Sequence, residues 1–197
     1  LTEERKNQKK AGFEVKTFPV PFELGERKKN ISINFNTPSK PSSERIIKQA
    51  IDFHLKGNIN EAVKSYQYCI NQGFITDSVF SNYAMILKDQ GQLEEAEILT
   101  IKAIKINPDI ANHHLLLGSI LQDQGKSKEA EIATKKAIAI EPNFANAHYN
   151  LGTIFKDLGN LKEAELSIRK AIEIDPDLIN AYSFLGKILQ EIEEIAS

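Results

Sequence analysis

A proline followed by aspartate or asparagine returns at a fixed interval: Pro108, Pro142 and Pro176 lie 34 residues apart, and the residues between them repeat in register. A period of that length describes helix pairs stacked on one another rather than one closed core, because each short unit has an apolar face that it cannot bury alone. Alignment on the prolines superposes Ala84, Gly118, Gly152 and Gly186, then Gly91, Gly125 and Gly159. It also superposes Ala96, Ala130 and Ala164, and Ala103, Ala137 and Ala171. An earlier copy begins near Ser43 with Ala50, Gly57 and Ala62 in the same columns, but with Cys69 and Phe74 where later copies have alanine and proline.

Each unit contains two segments of helical period. Leu151, Ile154, Phe155 and Leu158 form one apolar stripe at spacings of three and four, and Ala164, Ile168, Ala171 and Ile172 form the next. Gly159-Asn160 interrupts the pattern between them; a glycine there permits a left-handed helix end, and so short a turn makes the two helices antiparallel neighbours. Asp175-Pro176-Asp177 ends the second helix, since proline lacks an amide hydrogen and clashes with the preceding turn. Gly118 and Gly152 fall inside a predicted helix, where glycine costs about 1 kcal/mol relative to alanine. Close approach of the partner helix, which presents only the methyl groups of Ala130 and Ala164, is the compensation expected.

The chain of 197 residues, 41% hydrophobic and 26% charged, has the balance of a folded soluble protein. Residues 1–42 carry nine Lys and Arg against five Asp and Glu, which leaves 16 against 22 for residues 43–197. The repeat region is therefore acidic, and no nucleic-acid footprint is expected on it. Cys69 is the only cysteine, so no internal disulfide forms. Neither a secretory leader nor an apolar run of membrane-spanning length is evident, and the expectation is a cytoplasmic protein without a membrane partner. The chain begins with Leu1 rather than methionine, which leaves its completeness open.

These columns resemble the tetratricopeptide repeat, whose 34-residue unit favours a bulky residue, then leucine and a small residue, an aromatic, and later alanine, an aromatic, alanine and proline. The clearest unit supplies His148, Leu151, Gly152, Phe155, Ala164, Ile168, Ala171 and Pro176. The two units before it depart from the pattern at Thr134 and Thr100, which replace the second aromatic, and no unit has tryptophan at the bulky position. The resemblance covers about residues 43–190 and implies an all-α, right-handed helix-turn-helix solenoid with an irregular or extended N-terminal arm. Its expected parts are an arm and linker at 1–42, four repeats at 43–178, and a capping helix or truncated fifth repeat at 179–197, with Tyr182, Leu185 and Leu189 continuing the packing.

The family's concave groove is lined by the first helix of each pair. Positions opposite the inter-repeat core include Ser78, Ser81, Asn82, Met85, Lys88 and Asp89 in one unit and Asn112, Leu115, Leu116, Ser119, Gln122 and Asp123 in the next. Asn112, Asn146 and Asn180 form one ladder of amides, and Asn82 and Asn150 occupy alternate rungs of a second. Each amide offers a donor and an acceptor to the backbone of an extended peptide, while Leu116, Tyr149 and Phe184 add apolar contact. The competing reading is that asparagines near helix starts make local caps or meet solvent. Basic groove residues are few, Lys88, Lys156 and Lys187, which is a poor match to a receptor for acidic chaperone tails.

Catalytic chemistry has little support. His54, His113, His114 and His148 are the only histidines; His114 and His148 fall in the bulky packing column, and His113 has no nearby ligand pattern. Asp89, Asp123 and Asp157 recur, but a solenoid spaces them apart rather than pairing them for acid-base work. Gly12, Gly25, Gly57 and Gly73 are isolated and form no phosphate loop. No enzyme activity, cofactor or metal is expected.

Residues 1–42 differ from the rest: Phe13, Val15, Phe18, Val20 and Phe22 alternate briefly around Pro19 and Pro21, Ile31–Phe35 suggests another extended piece, and Thr37–Ser43 reads as a linker and helix start. The leading function is a noncatalytic scaffold that binds a protein or extended peptide. The alternative is the recognition portion of a larger or interrupted transferase or hydroxylase. That alternative follows from a resemblance of the opening Phe-Glu-Val-Lys-Thr-Phe-Pro-Val-Pro-Phe and the Lys-Gly-Asn-Ile-Asn-Glu-Ala-Val-Lys-Ser-Tyr segment to arrays in marine picocyanobacterial proteins. The oligomeric state stays open.

Overall fold

The computed structural model describes residues 42–196; the expected extended pieces at 13–22 and 31–35 lie outside the described residues. Within them the chain forms nine helices: α1 (Ser43–Leu55), α2 (Ile59–Asn71), α3 (Asp77–Asp89), α4 (Leu93–Ile106), α5 (Ala111–Asp123), α6 (Ser127–Ile140), α7 (Ala145–Asp157), α8 (Leu161–Ile174) and α9 (Ile179–Ala196). Each packs on its neighbours in sequence, α3 also touches α5, and α5 touches α7. The result is an all-α helix-turn-helix solenoid in which α1, α3, α5, α7 and α9 are the first helices of successive units. Ser42 starts the array as the cap of α1, its hydroxyl accepting from the Arg45 amide at 3.3 Å.

The turns follow from two stop signals. Gly57, Gly91, Gly125 and Gly159, which follow α1, α3, α5 and α7, have φ between 74° and 77°. Beside each, paired bonds close the end: at Gly91, for example, its own amide donates to Lys88 O at 2.9 Å and that of Gln92 to Leu87 O at 2.8 Å. The second helices α4, α6 and α8 end instead at Asn107, Glu141 and Asp175, each with extended backbone because a proline follows. The first unit has no proline here. Gly73, which the sequence leaves as an isolated glycine, takes φ 73° and lets the Phe74 amide bond Cys69 O at 2.8 Å, so a glycine end replaces the proline stop.

Packing explains the small columns. A β-carbon on Gly152 would lie 2.5 Å from Ile168 Cδ1 and 3.2 Å from Ala164 O, and one on Gly118 would run into Thr134 and Ala130. Ala50, Ala62, Ala84, Ala96, Ala103, Ala130, Ala137, Ala164 and Ala171 are fully buried. Closing α8 onto α7 also buries the Ile168 side chain completely, a contribution of about 1.5–3 kcal/mol. Buried side chains fall into several clusters along the array rather than one centre, as expected when each unit packs only on its neighbours. At the two threonine departures, Thr100 Oγ1 donates to Ala96 O at 2.8 Å, whereas buried Thr134 Oγ1, facing Gly118, has no partner.

On the terminal helix Leu185 and Leu189 are half-buried, and only Tyr182 departs from the expected packing. Ala181 and Ile188 are the residues buried on α9, with Phe184, Leu185 and Ile192 beside them against α8. Tyr182, expected to continue the packing, is 50% exposed. Its face is the one that α6 and α8 cover in α5 and α7, and among the described residues no second helix follows α9.

Candidate protein-binding face

The bulky column, expected to be plain packing, carries a repeated polar bond. His114 Nε2 donates to Pro108 O at 2.8 Å, His148 Nε2 to Pro142 O at 2.9 Å, and Tyr182 Oη to Pro176 O at 3.0 Å. In each case a ring six residues after the proline ties down a carbonyl at the junction between units. Tryptophan has one fixed N–H donor and a larger body, so the smaller polar rings are a different solution to the same position. Phe80 fills the column in α3 without a polar tip and packs under Lys102 Nζ, 5.6 Å from the ring centre.

The first helices are joined across their shared face by three crossbars. Lys88 Nζ pairs with Asp123 Oδ2 at 3.1 Å, Gln122 Nε2 donates to Asp157 Oδ2 at 2.6 Å, and Lys156 Nζ pairs with Glu191 Oε2 at 2.7 Å. Each donor meets the acid 35 residues later, so the recurring Asp123 and Asp157 act as acceptors for the preceding unit. The signal was present in the sequence: a Lys/Gln column immediately before an acidic column that extends to Glu191. Gln122 is further held by Thr153, whose hydroxyl lies 3.2 Å from Gln122 Nε2 and also donates to Asn150 O at 2.7 Å. His113, which has no metal-ligand pattern near it in the sequence, places Nε2 3.1 Å from Asp77 Oδ2 across α3 and α5. That pairing joins residues 36 apart and becomes visible only once the first helices lie side by side.

Between α3 and α5 the face opens into a cleft of about 540 Å³. Met85, Ile110, Leu115 and Leu116 provide apolar wall; Asn82 and Asn112 stand on opposite helices, and Ser81, Ser119 and Asp89 add polar rim. The structure thus brings Asn82 and Asn112 to one cleft, and neither side chain has a hydrogen-bond partner among the described residues. Ile110 and His113 were the lining residues that the groove pattern missed.

The other candidate residues lie further along. Asn112, Asn146 and Asn180 are exposed, and the residues at the cap positions of α5 and α7 are Ile110 and Phe144, neither making a side-chain cap bond. Asn112 and Asn146 are therefore not caps. Asn150 is half-buried, and its Nδ2 is a buried donor with no acceptor. Tyr149 and Phe184 pack on each other edge to face, ring centres 5.8 Å apart, and join the core between α8 and α9. Their inner ring surfaces are occupied by that packing.

Among the described residues no group of three or more His, Cys, Asp or Glu side chains is placed to hold a metal ion, and no helix is long and apolar enough to cross a membrane. Cys69 is fully buried, and burial pushes its thiol above the ordinary cysteine range, which disfavours the nucleophilic thiolate. Tyr66 is pushed up to about 12, first by burial and then by Cys69 beside it.

Tetratricopeptide-repeat models match residues 78–110, 114–144 and 145–178. Together with the helix-pair array, these matches support the tetratricopeptide-repeat family for this chain; nothing ties it to picocyanobacterial proteins in particular. Among solved structures, a MamA fragment (41-end) from Desulfovibrio magneticus RS-1 is similar at TM-score 0.68 and 18% identity, covering 77% of this chain and 85% of that one. YrrB, described as having an unusual peptide-binding site, is similar at 0.65 and 21%, covering 72% and 73%. The first repeat domain of Spaghetti (RPAP3), solved with an HSP90 peptide, is similar at 0.58 and 22%, covering 60% and 94%. A search of curated proteins finds no significant match. Arrays of this fold generally serve as protein-protein interaction scaffolds.

Proposed function

We propose that the chain is a noncatalytic scaffold that holds an extended peptide or partner segment along the face shared by α3, α5, α7 and α9. The observation that carries this reading is the α3–α5 cleft, with an apolar wall and the two unpartnered amides of Asn82 and Asn112 facing it from opposite helices. An extended backbone presents alternating N–H and C=O groups, and amides at helical-repeat spacing satisfy both without selecting side chains closely. Asn146, Asn150 and Asn180 continue the amides toward α9, where the rings of Tyr149 and Phe184 supply apolar contact. Peptide recognition by YrrB and by the RPAP3 domain supports the same use of this fold.

The test uses peptides selected on the protein from a phage-displayed random dodecamer library. In calorimetry, the Asn82→Ala/Asn112→Ala double variant is expected to weaken the selected peptides by about 1–3 kcal/mol, and Asn146→Ala/Asn150→Ala to weaken those long enough to reach α7. Circular dichroism shows whether the helices persist. Unchanged affinity in both folded variants defeats the asparagine-clamp reading.

A further inference from the structure

We propose that the α3–α5 cleft takes a segment in which a large apolar side chain stands next to a lysine or arginine, and that it rejects acidic segments. This rests on the peptide-binding reading above and specifies the ligand's chemistry. The apolar half of the argument is the wall itself: Met85 is 42% exposed beside half-buried Leu115 and Leu116, in a cleft whose size is that of ordinary ligand pockets.

The charged half comes from the crossbars. An acidic ligand needs free cations, yet Lys88 at this cleft is engaged by Asp123 at 3.1 Å, and Lys156, further along the face, by Glu191 at 2.7 Å. His113 is turned toward Asp77. Asp89, exposed at the rim, has no partner among the described residues. The first helix of the next unit offsets the lysine, and nothing offsets Asp89, so the cleft presents a net negative edge to whatever enters. A carboxylate entering it must displace Asp123 from Lys88 or lie against Asp89, whereas a lysine or arginine finds Asp89 open. The pairs are partly exposed, so the preference is one of selectivity and salt dependence rather than of large affinity.

The library selection tests this directly, with three variants alongside the wild type. Enrichment of Leu, Ile, Met or Phe adjacent to Lys or Arg is expected. Asp89→Asn should weaken the enriched peptides about fivefold at low ionic strength, with the difference closing in 1 M salt. Asp123→Asn, which releases Lys88, should bring acidic peptides into the enriched pool. Acidic peptides enriched by the wild type and weakened by Asn82→Ala/Asn112→Ala would overturn this inference while leaving peptide binding intact. So would enriched basic peptides indifferent to Asp89→Asn. Failure to enrich any peptide that depends on Asn82 and Asn112 overturns both readings.

Discussion

Gly118 and Gly186 occupy the same column of the repeat, yet a β-carbon on the first would run into Thr134 and the carbonyl of Ala130, and one on the second would meet nothing within 4 Å. The bulky column behaves in the same way. His114 in α5 is 9% exposed and Tyr182 in α9 is 50% exposed, although each bonds the carbonyl of a proline six residues back. A residue's place in the period therefore sets its backbone role, while the helix that does or does not cross it sets its energetic weight. α5 lies between α4 and α6; α9 has α8 on one side and, among the described residues, no second helix on the other.

The sharpest way to break this comparison is to place a methyl group on each glycine. Gly118→Ala and Gly152→Ala are expected to destabilise by about 1–3 kcal/mol, because overpacking against the partner helix outweighs the gain in helix propensity. Gly186→Ala should stabilise by about 0.5–1 kcal/mol, since only the propensity gain remains. Urea denaturation followed by circular dichroism reads both, with transitions compared by midpoint because repeat arrays need not unfold in one step. If all three variants shift in the same direction, the crossing helix is not what distinguishes the sites.

A second contrast removes the carbonyl bond at two depths. His114→Phe removes the bond made by a buried ring and should cost about 1–2 kcal/mol, whereas Tyr182→Phe removes the bond made by a half-exposed ring and should cost about 0.5 kcal/mol or less. Equal losses would show that the bond, rather than its burial, carries the energy.

The smallest effect concerns the seam between units. Glu97 of α4 accepts from Gln124 at 3.0 Å and Lys126 at 3.2 Å in the turn between α5 and α6, a reach from one unit into the next. The Gln124 bond, more than the Lys126 bond and charge, holds the Glu97 carboxyl below its ordinary value of 4.5. A depressed carboxylate contributes stability that is fully present above the ordinary value and is lost as pH falls through it toward the folded-state value. Thermal melts across that acid range should lose about 0.5 kcal/mol from this source, and Glu97→Gln should flatten that part of the curve. An identical pH slope in the variant would place the acid sensitivity elsewhere.

Much of the candidate face was legible in advance. Ten of the cleft's lining residues, from Ser78 through Ser119, belong to the pattern read off α3 and α5, with Ile110 and His113 the additions. The pattern succeeded because a helix face is a local property, repeated every three or four residues. It failed for the Asp77–His113 pair, for the engagement of Lys88 by Asp123, and for the mutual packing of Tyr149 and Phe184. Each of these joins side chains 35 or 36 residues apart across neighbouring first helices.

From its period alone, the sequence determined the helix pairs, their left-handed glycine turns and proline stops, and the columns of alanine that let helices approach. These depend on backbone geometry within a few residues, which composition at fixed spacing specifies directly. The tertiary structure decided which lysines are engaged, which amides remain unpartnered, and which of several equivalent glycines are crowded. Those outcomes depend on how adjacent units cross and on which rotamers survive the crossing, quantities that a period of 34 residues repeats without specifying.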